Sequence, residues 1–89
     1  MPTVSEFYGI LIRLYWRDVD RHAAPHFHAR YAEHEASFSI PDADVLVGGL
    51  PRKQRRLVEA WAELHAAELE QAWARAVNGE NPGKIDPLR

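Results

Sequence analysis

The sequence contains no cysteine, so neither a disulfide nor a thiolate-bound metal can supplement its core. It has no apolar run approaching the roughly 18 residues that a membrane-spanning helix requires. Its first residues, "MPTVSEFYG", lack the basic start and apolar stretch of a secretory leader. Excess positive charge is missing too: the net charge is −2 and the pI about 6.2, which sets aside general attraction to nucleic acid. No internal repeat and no low-complexity segment interrupts the chain. These absences lead to the expectation of a cytoplasmic protein that stays off the membrane.

What remains is an ordinary globular composition, 46% apolar over 89 residues, enough to argue against disorder. That length fits one domain spanning residues 1–89. A chain so short buries only about 60–65% of its unfolded surface. A thin core without staples leads us to expect support from a partner protein or from a second copy in a homodimer.

Periodicity gives an α+β reading. In "FYGILIRLYWRD" the even positions Tyr8, Ile10, Ile12, Leu14 and Trp16 are apolar, and Arg13 and Arg17 fall on the other side. That is a strand with one buried face. "DVDRHAAP" reads as a loop closed by Pro25. "HFHARY" then alternates Phe27, Ala29 and Tyr31 with His26, His28 and Arg30, while "EASFSI" alternates Ala36, Phe38 and Ile40 with Glu35, Ser37 and Ser39. The apolar sets coincide if Tyr31 faces Ala36 across a Glu33-His34 turn, which sets His28 against Ser39 and Arg30 against Ser37. "VLVGG" is a short last strand. From Pro51 onward, Leu57, Val58, Trp61, Leu64, Leu69, Ala72, Trp73, Ala76 and Val77 recur at helical spacing until Asn78-Gly79. The expected fold is a small antiparallel sheet of three or four strands over residues 3–50, packed against a long C-terminal helix at about 51–78. An extended tail follows at 79–89. A kink between His65 and Glu68, giving two packed helices, is the alternative to one continuous helix.

Two clusters invite chemistry. His26 and His28 project from the polar sheet face about 6.7 Å apart, twice the strand rise. Such a pair can converge on a metal ion, but a site needs a third ligand. Asp18, Asp20, His22, His34 and Glu35 are the candidates, and Arg30 on the same face disfavours a dication. No cofactor is expected. The same pair can instead supply a general acid and base, since imidazole titrates near neutral pH. Arg30 then suits phosphate, and Tyr31, Ser37 and Ser39 add hydroxyl donors. Metal-independent cleavage of RNA through its own 2′-hydroxyl fits that set. The plain alternative is a solvated polar face whose histidines make ordinary hydrogen bonds.

The second cluster is "PRKQRR". Arg52, Lys53, Arg55 and Arg56 are four of the eleven basic residues, placed where a helix dipole disfavours cations. They form either a phosphate-binding turn or a solvated one in which Arg55 and Arg56 pair with Glu59. Trp61 and Trp73 read as core, and His65 as a satisfied histidine on the apolar stripe.

Taken together, "MPTVSEFYGILIRLYW", "APHFHARY", "EHEA", "LPRK", the spaced Trp61–Trp73 segment and "KIDPL" resemble the bacterial domain-of-unknown-function 4160 family. The likeness covers nearly the whole chain, and Pro25, His26, His28, Glu35 and Ala36 match its central motif. The sequence departs from the family where a double proline is frequent before His26, and at Ala32, where glycine is common. The resemblance implies a gene neighbour from domain of unknown function 2442, in pairs like toxin–antitoxin modules. On it rests the expectation of a toxin-like protein acting on RNA, with His26 and His28 as the acid/base pair, Arg30 on phosphate and Glu35 orienting them. A non-catalytic binding module, antitoxin-like or regulatory, and a small His-x-His metal protein are the alternatives.

Overall fold

The structure is a computed structural model that describes residues 3–14 and 24–89. Five strands form one antiparallel meander: β1 (Thr3–Phe7), β2 (Ile10–Arg13), β3 (His26–Tyr31), β4 (His34–Ser39) and β5 (Val45–Gly48), in that spatial order. Two helices follow, α1 (Arg52–Leu64) and α2 (Ala66–Val77). The fold is therefore α+β, with five strands where three or four were expected; of the two helical readings, the break near His65 into two helices holds and the single long helix does not. Trp16 and Arg17, expected to extend the first strand, lie outside the described residues, as does most of the loop from Asp18.

The extra strand comes from a turn inside the expected first one. Phe7 pairs with Ile10, and between them Tyr8 and Gly9 both take positive φ, 50° and 78°, as a two-residue hairpin turn of matching twist demands. Tyr8 is exposed, so its place in the apolar alternation was coincidental. The second hairpin turns one residue earlier than expected. Tyr31 pairs with His34, so the turn is Ala32-Glu33. The register moves by two residues, which keeps every side chain on its expected face. His28 therefore faces Ser37, and Arg30 faces Glu35.

The apolar face carries Ile10, Ile12, Leu14, Phe27, Ala29, Ala36 and Phe38, all buried. Val58, Trp61 and Ala62 of α1 and Leu69, Ala72 and Ala76 of α2 complete the core. Trp61 is fully buried, its ring centroid 5.5 Å from Phe7 and 5.8 Å from Phe27. The helices part at His65, whose backbone (φ −117°, ψ 26°) leaves the helical region. Its Nδ1 lies 2.6 Å from a carboxylate oxygen of Glu68 in the first turn of α2. That carboxylate also sits at the favourable end of the helix dipole.

The segment after α2 has no regular secondary structure, yet it belongs to the core. Pro82 and Ile85 are buried. Arg75 donates to the Pro82 carbonyl at 2.8 Å, and the Trp61 indole N–H donates to Asp86 O at 2.8 Å. Ile85 N–H donates to Val4 O at 2.7 Å, and Lys84 Nζ to Thr3 O at 2.6 Å. At the other edge, β5 meets β4 closely. A side chain at Gly48 would stand 2.2 Å from the Glu35 carbonyl oxygen, and its φ is +73°. Glycine alone satisfies both conditions. No helix among the described residues is long and apolar enough to cross a membrane.

Candidate functional site

Strand alternation and register build one row across the polar face of the sheet. Arg13 of β2 lies opposite His28 of β3, His28 opposite Ser37 of β4, and Ser37 opposite Val47 of β5. A second row holds Glu6, Leu11, Arg30 and Glu35, and a third begins with His26 opposite Ser39. Opposed residues in antiparallel strands have Cβ atoms about 4.5–5.5 Å apart. His28 therefore has a guanidinium-bearing neighbour on one side and a hydroxyl on the other.

The two histidines meet. Their ring centroids are 5.2 Å apart at 76°, edge to face, closer than the strand rise alone gives. His26 also packs against Trp73 of α2, with centroids 5.2 Å apart at 53°. Its Nδ1 lies 2.9 Å from the Ala24 carbonyl oxygen. A carbonyl only accepts, so Nδ1 carries the proton and Nε2 is the acceptor nitrogen of the neutral ring. His28 Nδ1 instead meets Ser37 Oγ at 3.2 Å, a partner that can donate or accept. The two rings thus stand in contact but in different hydrogen-bonding surroundings.

The other expected site residues divide around this pair. Ser37 joins it. Ser39 Oγ accepts from Asp44 N–H at 3.0 Å and so braces the β4–β5 turn. Arg30 is exposed and its Nε donates to the Ala32 carbonyl at 3.3 Å, which draws it toward its own hairpin turn. Glu35 faces Arg30, one row away from His28. Tyr31 points to the opposite face and packs against the core. Arg52, Lys53 and Arg56 line an open groove of about 540 Å³ with Leu57, and Arg55 is exposed beside them. Among the described residues neither Arg55 nor Arg56 forms an ion pair with Glu59. His65 rests beside Trp61, ring centroids 5.7 Å apart.

Sequence reasoning missed two neighbours of the pair. Arg13 stood on the polar side of the first strand, but its partner across β2 and β3 depends on the Tyr8-Gly9 turn. Trp73, expected in the core, is only half-buried, and the break at His65 that sets the course of α2 is not a matter of spacing. Among the described residues, no three His, Cys, Asp or Glu side chains are grouped to hold a metal ion. His34, one proposed third ligand, pairs with Tyr31 and so lies on the other face from His26 and His28. Asp18, Asp20 and His22 lie outside the described residues.

The fold and site together define a small α+β protein whose five-stranded meander carries a His-x-His strand on the sheet face opposite its apolar core. The family model for a domain of unknown function (DUF4160) matches residues 9–74. The chain belongs to that family. No curated protein and no solved structure matches it.

Proposed function

We propose that the polar sheet face cleaves RNA by paired histidine acid/base catalysis, as the toxin-like member of a two-protein module. The observation that supports this most directly is the contact of His26 with His28 in two different hydrogen-bonding environments. The chemistry requires two imidazoles within reach of one phosphodiester, one to take a proton and one to give it, and the two rings stand in contact. In the forward step the neutral imidazole takes the proton of a ribose 2′-hydroxyl as that oxygen attacks phosphorus. The imidazolium gives its proton to the departing 5′-oxygen. The products are a 2′,3′-cyclic phosphate and a 5′-hydroxyl, and no metal enters the step. Ser37 orients His28. Glu35 and Arg30 stand one row away, where they would meet the adjoining nucleotide. The module and its partner rest on the family resemblance, and Arg52, Lys53, Arg55 and Arg56 would form a separate cationic patch for flanking phosphates.

The test is cleavage of a short RNA by the purified protein in the presence of a chelator. His26→Ala and His28→Ala should each lower the rate by about 10²- to 10⁴-fold; both side chains are half-buried, so circular dichroism of each variant must show the native fold for its rate to count. A substrate with one 2′-deoxy linkage should be spared there. Replacing the four basic residues together should weaken RNA binding and flatten its salt dependence. Loss of RNA cleavage in none of the variants, or its absence in the native protein, would sink the proposal.

A second reading, a non-catalytic binding module, is favoured by β5. Val45, Leu46 and Val47 form an exposed apolar edge strand, suited to receive an extended segment of a partner protein. In that case no pure preparation cuts RNA, and changes at β5, not at the histidines, release the partner.

A further inference from the structure

We propose that Arg13 is the anion-binding residue of this face, holding a phosphate of RNA against His28, and that Arg30 is not. The inference rests on the phosphodiester reading above and supplies the residue that reading lacked. Three observations carry it.

The first is position. Arg13 lies directly across from His28 on the neighbouring strand, so a group held by its guanidinium lies beside that imidazole. The second is its unmet hydrogen-bonding capacity. Arg13 is only half-exposed, and its Nε is buried with no hydrogen-bond partner. A guanidinium has only donors and stays charged at any working pH, so a buried N–H without an acceptor is costly unless a ligand provides one. Among the described residues no carboxylate pairs with Arg13, and Glu6 and Glu35 both belong to the next row. The third is the state of its competitor. Arg30 is exposed and already donates to the carbonyl of its own turn.

A phosphate diester has two non-bridging oxygens spaced for the two-pronged face of a guanidinium. Seated on Arg13, it places its phosphorus within the span of the row Arg13–His28–Ser37. His26, two residues along β3, then stands on the side of the entering or departing oxygen. Arg13 neutralises the charge that grows on the phosphorane oxygens, and the histidines move the protons.

The experiment follows the ring signals of His26 and His28 by NMR during titration with inorganic phosphate, and then with an all-2′-deoxy oligonucleotide that cannot be cut. In the native protein both ligands should shift the His28 signals saturably and compete with one another. Arg13→Gln should weaken phosphate binding about 10- to 100-fold, the loss expected for a bidentate charge-assisted contact. Arg13→Lys, which keeps the charge and the apolar stem, should recover part of it, and Arg30→Gln should change it less than about twofold. Should Arg13→Gln fail to fold, the Arg13→Lys and Arg30→Gln comparison still decides, because only loss of the fork at position 13 should weaken binding. Phosphate that leaves the His28 signals unmoved, or binding that follows Arg30 instead of Arg13, overturns the assignment. The two proposals fail separately. Saturable binding through Arg13 without any RNA cleavage removes the acid/base chemistry and leaves the anion site. Undiminished cleavage by Arg13→Gln does the reverse.

Discussion

Along β1 the outer edge of the sheet is met by the C-terminal segment: Ile85 N–H donates to the Val4 carbonyl, Lys84 to Thr3, and Ile85 itself is buried. Along β5 the outer edge carries Val45, Leu46 and Val47, with Val47 70% exposed. A strand edge offers unpaired N–H and C=O groups to any passing chain, and proteins usually blunt it with cover, charge or proline. Here one edge is met by Lys84 and Ile85 of the C-terminal tail, and the other is left apolar and uncharged. The difference separates an edge that serves stability from one suited to binding. It also sits well with the site, because Val47 ends the row that runs through Ser37 and His28. In the proposed module, a partner strand laid along β5 would stand beside the histidine pair, where it could block access to RNA.

The largest effect should come from uncovering the first edge. Deleting residues 82–89 removes buried Pro82 and Ile85 and leaves the Trp61 indole N–H and Arg75 without their acceptors. Losing a buried isoleucine alone costs about 2–5 kcal/mol, and a buried unsatisfied donor about 1–3 kcal/mol more. A small domain has only about 5 kcal/mol in total. The shortened chain should therefore be largely unfolded at 25 °C by circular dichroism, and Ile85→Ala should lower stability by about 2–4 kcal/mol. Full native stability in the shortened chain would show that the tail is not a structural strand in all but name.

The role of the tail marks where sequence reading runs out. Alternation in "HFHARY" and "EASFSI" was enough to place His26, His28 and Arg30 on one face, because period two survives a register error of two residues. The turns were less legible. Gly9 was the signal for the first hairpin, but the apolar Tyr8 continued the pattern through it. Ala32 holds a φ of 53°, where glycine is favoured and alanine gives no warning. The helix break at His65 has no proline or glycine to announce it. Tertiary partners also leave no local trace: nothing in "KIDPL" says that Asp86 offers its carbonyl to Trp61, and nothing near Trp73 says that it meets His26. The candidate site was legible as a pair of residues and illegible as a row, since a row needs the order of strands.

A smaller but still sizeable effect tests how β5 is fastened. Gly48→Ala places a methyl group against the Glu35 carbonyl, 2.2 Å from its oxygen, at a φ of +73°. Left-handed backbone costs a non-glycine residue about 1–2 kcal/mol before any clash, so a loss above about 2 kcal/mol is expected. Hydrogen exchange should show where it falls: the amides of β5 should lose protection while those of β3 keep theirs. Uniform loss across the sheet would mean that β5 is as integral as β1, and the contrast between the edges would shrink.

The smallest change in stability should carry the clearest functional outcome. Val47→Lys puts a charge on the bare edge, the device by which natural sheets discourage edge pairing. The side chain is exposed, so melting should move by no more than about 0.5 kcal/mol. Yet a partner that adds a strand to β5 must bury this position, and burying an unpaired ammonium is prohibitive. The measurement is sedimentation of the native protein and the variant, each alone and with the product of the neighbouring gene. The native protein should form a complex and Val47→Lys should not, whereas His26→Ala and His28→Ala should still form it. An unaltered complex with Val47→Lys would move the partner to another surface, and the exposed Leu64 and Val77 of the helices would be the next positions to charge.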